Sequence, residues 1–493
     1  MIPYKTILHI NRAGKQPVFI QLTNQFITLI KQGTLPPKTK LPSSRTLCDL
    51  IGVHRKTIVA TYEELILQGW IITVPKKGTY VIEDIPILQV QKSSNSLPKK
   101  PLTSGFSFKN DSLLDNNLPQ HRERDFRYID DGVSDERLAP VKELATRYRK
   151  VAYKHNTISH MGYCTTYGNR QLREVLVNYL NETRGLNIAL DNILITRGSQ
   201  MGIFLATQLL METSGYVVVG ETNYSAADVT FQYANAKLLR VQVDEDGLDT
   251  AHIEELVQTY NVKAVYTTSH HHHPTTVTLS ASRRMHLLNL SRIHDFAILE
   301  DDYDYDFHYN HAPILPLASH DANASVIYVG SVCKTVAPVY RVGYLVAAKD
   351  FVDECAKLRR YVDRQGDAIL ELTFANFIKD GSLDRHINKV MKIYKDRRDF
   401  FCELLKKELH EFLSFEVPKG GMAIWVTLNK AYSWQQLKIV ALKHKLVIPD
   451  YNRYDKAGLN HNAIRIGFAR QNHLEAKDMV LRLKAALTEF KAI

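Results

Sequence analysis

The sequence predicts a two-module α/β protein: a small, basic, mostly helical head, and a large domain in which helices alternate with the strands of a mainly parallel sheet. Three observations carry this. The chain has 493 residues, past the size at which a single hydrophobic core divides. Nine of its eleven excess positive charges fall before residue 105. Beyond residue 125, short apolar runs recur between helical patterns, as expected for strands covered on both faces.

Apolar residues make up 45% and charged residues 23% of the chain, the mix of an ordinary globular protein. No apolar run is long enough for a membrane span. The amino terminus lacks the basic flank and apolar core of a secretory signal, so a cytoplasmic location and no membrane partner are expected. The five cysteines, Cys48, Cys164, Cys333, Cys355 and Cys402, are scattered without a CxxC pair, which points to reduced thiols and away from a zinc ribbon.

Residues 1–84 hold eleven Lys and Arg against five Asp and Glu. A basic head on a near-neutral body suggests a polyanionic partner for the head alone. Residues 17–33 predict an amphipathic helix, with Ile20, Phe26, Ile27 and Ile30 at helical spacing and Gly33 as its stop. Pro42-Ser43-Ser44 places a capping hydroxyl before a second helix that Gly52 ends, and a third runs from about His54 to Gln68. Two short helices around a glycine turn form a helix-turn-helix. The β-rich runs 70–74 and 79–82, joined by Pro75-Lys76-Lys77-Gly78, predict a hairpin wing with a basic tip. In such docking the start of the second helix of the motif enters the major groove of double-stranded DNA. His54, Arg55, Lys56 and Thr57 are therefore the candidate readers, with Arg45, Lys76, Lys77 and Gly78 beside the phosphates. The stretch from Pro17 through Val81 resembles the GntR-family winged helix over its whole length. In that family the positions of Arg45, Arg55, Thr57 and the Gly78 wing tip contact DNA, and the slot of His54 is usually Ser or Thr.

Residues 85–124 read as a linker rich in Ser, Pro and Lys, including Lys92, Lys99 and Lys100, without a helical or alternating period. The second domain is expected over residues 125–493. Strands are predicted at 192–195, 215–220, 263–266, 296–299 and 326–329, and in parallel sheets the chemistry gathers at their carboxyl ends. One run leads into Ser331-Val332-Cys333-Lys334-Thr335, with Arg341 seven residues after the lysine, an arrangement suited to a Schiff base beside a phosphate clamp. Another ends in Glu300-Asp301-Asp302-Tyr303-Asp304. A carboxylate here suits a protonated pyridine nitrogen, although the acidic run could equally bind a divalent ion. Arg197-Gly198-Ser199-Gln200 opens a helix whose N-terminus can receive a phosphate.

Together these segments resemble the fold-type I aminotransferases from about residue 128 to the carboxyl end. The resemblance implies a smaller C-terminal α+β subdomain and pyridoxal 5′-phosphate as cofactor. It makes Lys334 the cofactor lysine and Asp301 the partner of the pyridine nitrogen. Gly198, Ser199, Gln200, Ser331 and Arg341 match the phosphate site, Tyr224 the ring that stacks on the pyridine, and Tyr303 the phenol that bonds its O3′. Arg465 matches the arginine that grips a substrate carboxylate. Head, linker and body in this order, with Asp131-Gly132-Val133-Ser134-Asp135, are similar to the MocR-type transcription regulators. That likeness implies a head-to-tail homodimer sensing a small amino compound and binding a DNA operator.

Thr222 stands where the family commonly has Pro, Cys333 where it has Ser, and Val339-Tyr340 where it has Gly-Leu. Cys333 is expected to be a small buried residue. His270-His271-His272-His273 invites a metal reading, but consecutive side chains on an extended loop alternate in direction and cannot all converge on one tetrahedral ion. No metal site is expected, and His273 is expected near the cofactor ring. The leading function is a ligand-sensing, pyridoxal-phosphate-dependent regulator. A working aminotransferase with an accessory head, and a metal sensor built on the histidines, are the other readings.

Overall fold

The computed structural model describes residues 2–84, 104, 106–107, 112–114, 123–211, 215–309, 314–332 and 334–491. Most of the expected linker, with Lys92, Lys99, Lys100 and Lys109, lies outside the described residues, as does Cys333. The chain forms two compact units, Met1–Asn110 and Asp111–Ile493, and the division falls inside the expected linker.

In the head, helix Val18–Lys31 packs with Ser44–Ile51 and Arg55–Leu67 around Leu22, Phe26, Leu47, Ile58, Tyr62 and Leu65. Leu22 is fully buried, whereas Ile20, expected on the apolar face, is only half-buried. Ser43 Oγ accepts from the Thr46 N–H at 3.1 Å, and Gly52 closes that helix at φ 68°, a left-handed conformation that costs glycine little. The wing strands Ile71–Val74 and Gly78–Val81 pair antiparallel, Ile71 opposite Val81 and Val74 opposite Gly78.

The body is built on a seven-stranded sheet in the order Ile193–Thr196, Gly343–Val346, Val326–Ser331, Ala297–Asp302, Val262–Thr267, Tyr216–Gly220, Lys237–Val241. All run parallel except Gly343–Val346, which is antiparallel to both neighbours. The five predicted strands are present. The two missed ones have clear causes: Lys237–Val241 is a half-exposed edge broken by charge, and Gly343–Val346 begins inside the loop that follows Lys334. Strand Ile193–Thr196 is buried at every residue, which is why it reads as a continuous apolar run and not as an alternation.

The smaller subdomain sets the antiparallel strands Leu413–Phe415, Ala423–Leu428 and Ala463–Gly467 against helices Ser382–Leu409, Trp434–Lys443 and His473–Lys491. Tyr394, Trp434, Leu437, Ile464 and Met479 lie in its core. Strand Arg127–Tyr128 pairs with Leu446–Val447. This strand of the body is thereby fastened to the smaller subdomain, just before Asp130 and Asp131.

Glu300 holds the large sheet to its surroundings. It is wholly buried. Its Oε1 accepts from the Leu317 N–H at 2.9 Å and from the Ser269 hydroxyl, and its Oε2 from the Ala318 N–H at 3.0 Å. Burial pushes its pKa up, while the donors act in the opposite direction. Glu300→Gln sets an amide donor against donors and is expected to lower stability by about 3 kcal/mol, read as a fall in the urea midpoint of the whole chain.

Candidate functional site

The head presents Arg45, His54, Arg55 and Lys56 to solvent, with Thr57 half-buried beside them. Arg55 is the first residue of its helix, and His54 is the cap, its Nδ1 accepting from the Lys56 N–H at 3.3 Å. A ring nitrogen therefore does the work of the hydroxyl usual at this slot, a local role that the sequence reading did not assign. Lys76 and Lys77 are exposed at the wing turn, Lys76 at φ 62° and Gly78 at φ 122°. A Cβ on Gly78 would meet Lys40 Cε at 3.0 Å.

In the body, strands Ala297–Asp302 and Val326–Ser331 run in parallel, with Asp301 opposite Val329. Their carboxyl ends thus release Asp301 and the Lys334 loop on the same edge of the sheet. Asp301 is buried. Its Oδ2 accepts from Tyr266 Oη at 2.9 Å, whereas Oδ1 has no partner. Burial, reinforced by Asp302 and Asp304, pushes its pKa up to about 7. A buried carboxylate with one free oxygen fits a protonated ring nitrogen that would pair with it.

Lys334 Nζ donates to the Gly132 carbonyl at 3.0 Å, and burial lowers the pKa of its amine, favouring the unprotonated, nucleophilic form. Tyr224 precedes helix Ser225–Tyr233, and its ring meets that of His273 edge-on at 5.2 Å. Tyr303 donates to the His271 carbonyl at 3.0 Å and accepts from Arg465 Nη2 at 3.2 Å.

Gly198 caps helix Ser199–Leu210 at φ 77°, and a Cβ there would lie 2.7 Å from Arg341 Nη2. A Cβ on Gly343 would lie 2.7 Å from the Gly198 backbone. These two glycines let the Arg341 guanidinium lie across the helix start, where it donates to the Arg197 carbonyl at 2.8 Å. Ser331 Oγ donates to the Val342 carbonyl at 3.1 Å, and Gln200 Nε2 to Thr230 Oγ1 at 2.8 Å. A helix N-terminus with a guanidinium on it suits a phosphate dianion.

The four histidines are all buried and face different partners. His270 lies against Asp302 and the Ile314 carbonyl, and His271 Nδ1 is 2.8 Å from Asp304 Oδ1. His272 Nε2 is 2.9 Å from the Thr222 carbonyl, and His273 Nε2 is 3.1 Å from Asp131 Oδ2. Burial lowers the pKa of His272 to about 4 and that of His273 below its usual value. Among the described residues no group of three or more His, Cys, Asp or Glu is arranged to hold a metal ion. The acidic run is likewise divided among partners: Asp302 takes His270 and the Tyr328 hydroxyl, Asp304 takes His271, and Asp306 takes Arg184.

Arg465 is 1% exposed. Its Nε donates to the Asp131 carbonyl at 3.2 Å and its Nη1 to the Pro274 carbonyl at 3.0 Å. Asp131, Arg453, Tyr454 and Asp304, which line this end of the site, were not assigned from the sequence. Only the acid pair before Gly132 signalled Asp131.

Residues 133–482 match the family model of aminotransferases class I and II, and residues 21–81 that of bacterial regulatory proteins, gntR family. The first match spans well over half of the chain, so the chain belongs to the aminotransferase class I and II family. With a gntR-type head in front of that body, it is of the MocR type. It is 27% identical to the HTH-type transcriptional regulator YdfD of Bacillus subtilis, over 92% of this chain and 93% of that protein. It is 23% identical to the probable rhizopine catabolism regulatory protein MocR of Rhizobium meliloti, over 86% of this chain and 84% of that one. The kynurenine aminotransferase of Pyrococcus horikoshii superposes with a TM-score of 0.69 at 27% identity, over 74% of this chain and 91% of that chain. Pyridoxal phosphate is the cofactor of this fold and family.

A carboxylate with a raised pKa in the folded state weakens folding as it ionises, because the folded chain then holds a proton that the unfolded chain has released. For Asp301 this loss is absent below about pH 4, where both states are protonated, grows toward its pKa of about 7, and is constant above. The urea midpoint of the cofactor-free protein, compared with that of Asp301→Asn, is expected to fall over this range. The same substitution is expected to weaken retention of pyridoxal phosphate about 10- to 100-fold by equilibrium dialysis, the worth of one charge-assisted hydrogen bond.

Proposed function

We propose that this protein is a pyridoxal-phosphate-dependent transcription regulator whose aminotransferase-like body senses an amino compound and alters how its head engages a double-stranded DNA operator. One observation carries the reading: a gntR-type head and an aminotransferase body occupy a single chain, and likeness to HTH-type regulators extends over nearly all of it. The protein is proposed to work in the cytoplasm as a head-to-tail homodimer. Among the described residues no helix is long and apolar enough to cross a membrane.

In this reading Lys334 holds the cofactor, with Asp301 at the ring nitrogen, Tyr303 at the ring hydroxyl, and Tyr224 and His273 beside the ring. Gly198, Ser199, Gln200, Ser331 and Arg341 hold the phosphate, and Arg465 stands at the effector end. When bound, the cofactor supplies an aldehyde that reacts with primary amines. Lys334 is the competing amine of the chain itself, its pKa lowered by burial. An effector amine would take the place of Lys334 there, which would change the charge and packing beside Arg341 and Arg465. An effector that binds one domain arrangement better than another shifts the population toward it.

Arg45 is proposed to face DNA from its own helix, together with Arg55, Lys56 and Thr57 on the helix that His54 caps, and Lys76, Lys77 and Gly78 are proposed to form the wing contact. A working aminotransferase is the second reading. It is favoured by the Lys334, Asp301 and Tyr303 set and by the likeness to the kynurenine enzyme, and steady multiple turnover with an amino donor and a 2-oxo acid would establish it.

The test is operator binding by the full chain with and without amino compounds, measured by anisotropy. Arg55→Ala is expected to weaken operator binding at least tenfold, and Lys76→Ala to reduce the salt dependence of binding by about one phosphate contact. Lys334→Ala is expected to bind DNA as the wild type does and to lose the response to ligand. If no amino compound changes DNA affinity or geometry, the sensor reading fails.

A further inference from the structure

The Asp131 carboxylate sits where four donors at the effector end converge. Its Oδ2 lies 3.1 Å from His273 Nε2 and 3.5 Å from Arg453 Nη2. Its Oδ1 lies 3.2 Å from Tyr454 Oη and 3.5 Å from Arg465 Nε. With Nε2 protonated, neutral His273 donates to Asp131, and its Nδ1 is left buried without a partner. Burial alone would raise the pKa of Asp131, but these neighbours hold it well below the usual carboxylate range.

Arg465 is thus already matched in charge. The rest of its fork is engaged by the Asp131 and Pro274 carbonyls and the Tyr303 hydroxyl. A carboxylate brought by a ligand would have to evict Asp131 or lie beside it. In the second case it would add a negative charge to a site that also buries Asp301 and Asp304. Either route carries a large desolvation and repulsion cost. A ligand amine brings no second negative charge, and the Asp131 carboxylate and the Gly132 carbonyl, which already accepts from Lys334 Nζ, offset the desolvation of an ammonium there.

Building on the sensor reading above, we propose that Asp131 is the residue that selects the effector. The chain supplies its own carboxylate to Arg465, so the site takes a primary amine without a carboxylate, a monoamine or diamine, in preference to an amino acid. The amine is the reacting group in both classes, and the carboxylate is only a handle. Filling the handle's place from within changes which ligand is held and leaves the amine chemistry untouched.

The experiment uses the full chain loaded with pyridoxal phosphate. It is titrated with matched pairs that differ by one carboxylate: putrescine against ornithine, phenylethylamine against phenylalanine, and isobutylamine against valine. Binding is read both by calorimetry and by the change in cofactor absorption. The wild type is expected to bind the amine of the responding pair at least tenfold more tightly. Asp131→Asn, which keeps the volume and removes the charge, is expected to lower that ratio at least tenfold through a gain in affinity for the amino acid. Tighter binding of the amino acid by the wild type overturns the proposal and leaves the sensor reading standing. An unchanged ratio in a cofactor-loaded Asp131→Asn protein does the same. If that variant does not load, the wild-type ratio alone decides. If the loaded protein binds neither class, both readings fall.

Discussion

Parallel pairing of strands Ala297–Asp302 and Val326–Ser331 is the constraint on which the site depends. Because the two strands point the same way and are in register, with Asp301 opposite Val329, one carboxylate and one lysine loop emerge on the same edge without further adjustment. A parallel pair cannot be joined by a tight turn, so the chain between them must cross over the sheet. The acidic run, which continues past the first strand, is thereby free to reach toward the smaller subdomain. Glu300, one residue earlier, points the other way along the pleat and is bound by backbone N–H groups of the crossover. Successive residues of one strand therefore have separate tasks, Glu300 holding the scaffold and Asp301 facing the site.

The body buries an unusual amount of charge near this edge, and the arrangement shows how that is tolerated. Four of these acids are each set against a basic side chain. Asp302 is set against His270, Asp304 against His271, Asp306 against Arg184 and Asp131 against His273 and two arginines. Asp301 is the exception, with only a tyrosine hydroxyl on one oxygen. A buried carboxylate without a basic partner, beside carboxylates that each have one, is organised to receive a cation there, and the penalty of the unpaired charge becomes affinity when the cation arrives.

Residues that act within one segment were legible in the sequence. Ser43, Gly52 and the Lys76–Gly78 turn announce the head because caps and turns are local chemistry. Lys334, Asp301 and Gly198 are visible because strand ends and a helix start frame them. Asp131 was not assigned a role because its partners stand 142, 322, 323 and 334 residues away along the chain, and only the folded subdomains bring them together. That the histidine run diverges follows from alternation along an extended loop, which is local. That His271 answers Asp304 and His272 the Thr222 carbonyl could not be read, because these partners lie on other loops. His54 shows the same limit on a smaller scale: a residue unusual for its slot proves to cap the helix with a ring nitrogen.

The segment 127–132 joins these strands of reasoning. It begins as strand Arg127–Tyr128, paired with Leu446–Val447 of the smaller subdomain. It then presents the Asp131 carboxylate to Arg465, Arg453 and His273, and ends with the Gly132 carbonyl on Lys334 Nζ. Of these partners, Arg465 and Arg453 come from the smaller subdomain, whereas His273 and Lys334 come from loops of the large sheet. A six-residue stretch thus bridges both parts of the body at the position where a ligand amine would compete with Lys334. Moving Lys334 frees the Gly132 carbonyl, and moving Gly132 strains the Asp131 contacts one residue away. Coupling through so short a stretch needs no extended pathway, only two arrangements of a single turn that differ in which donors it satisfies.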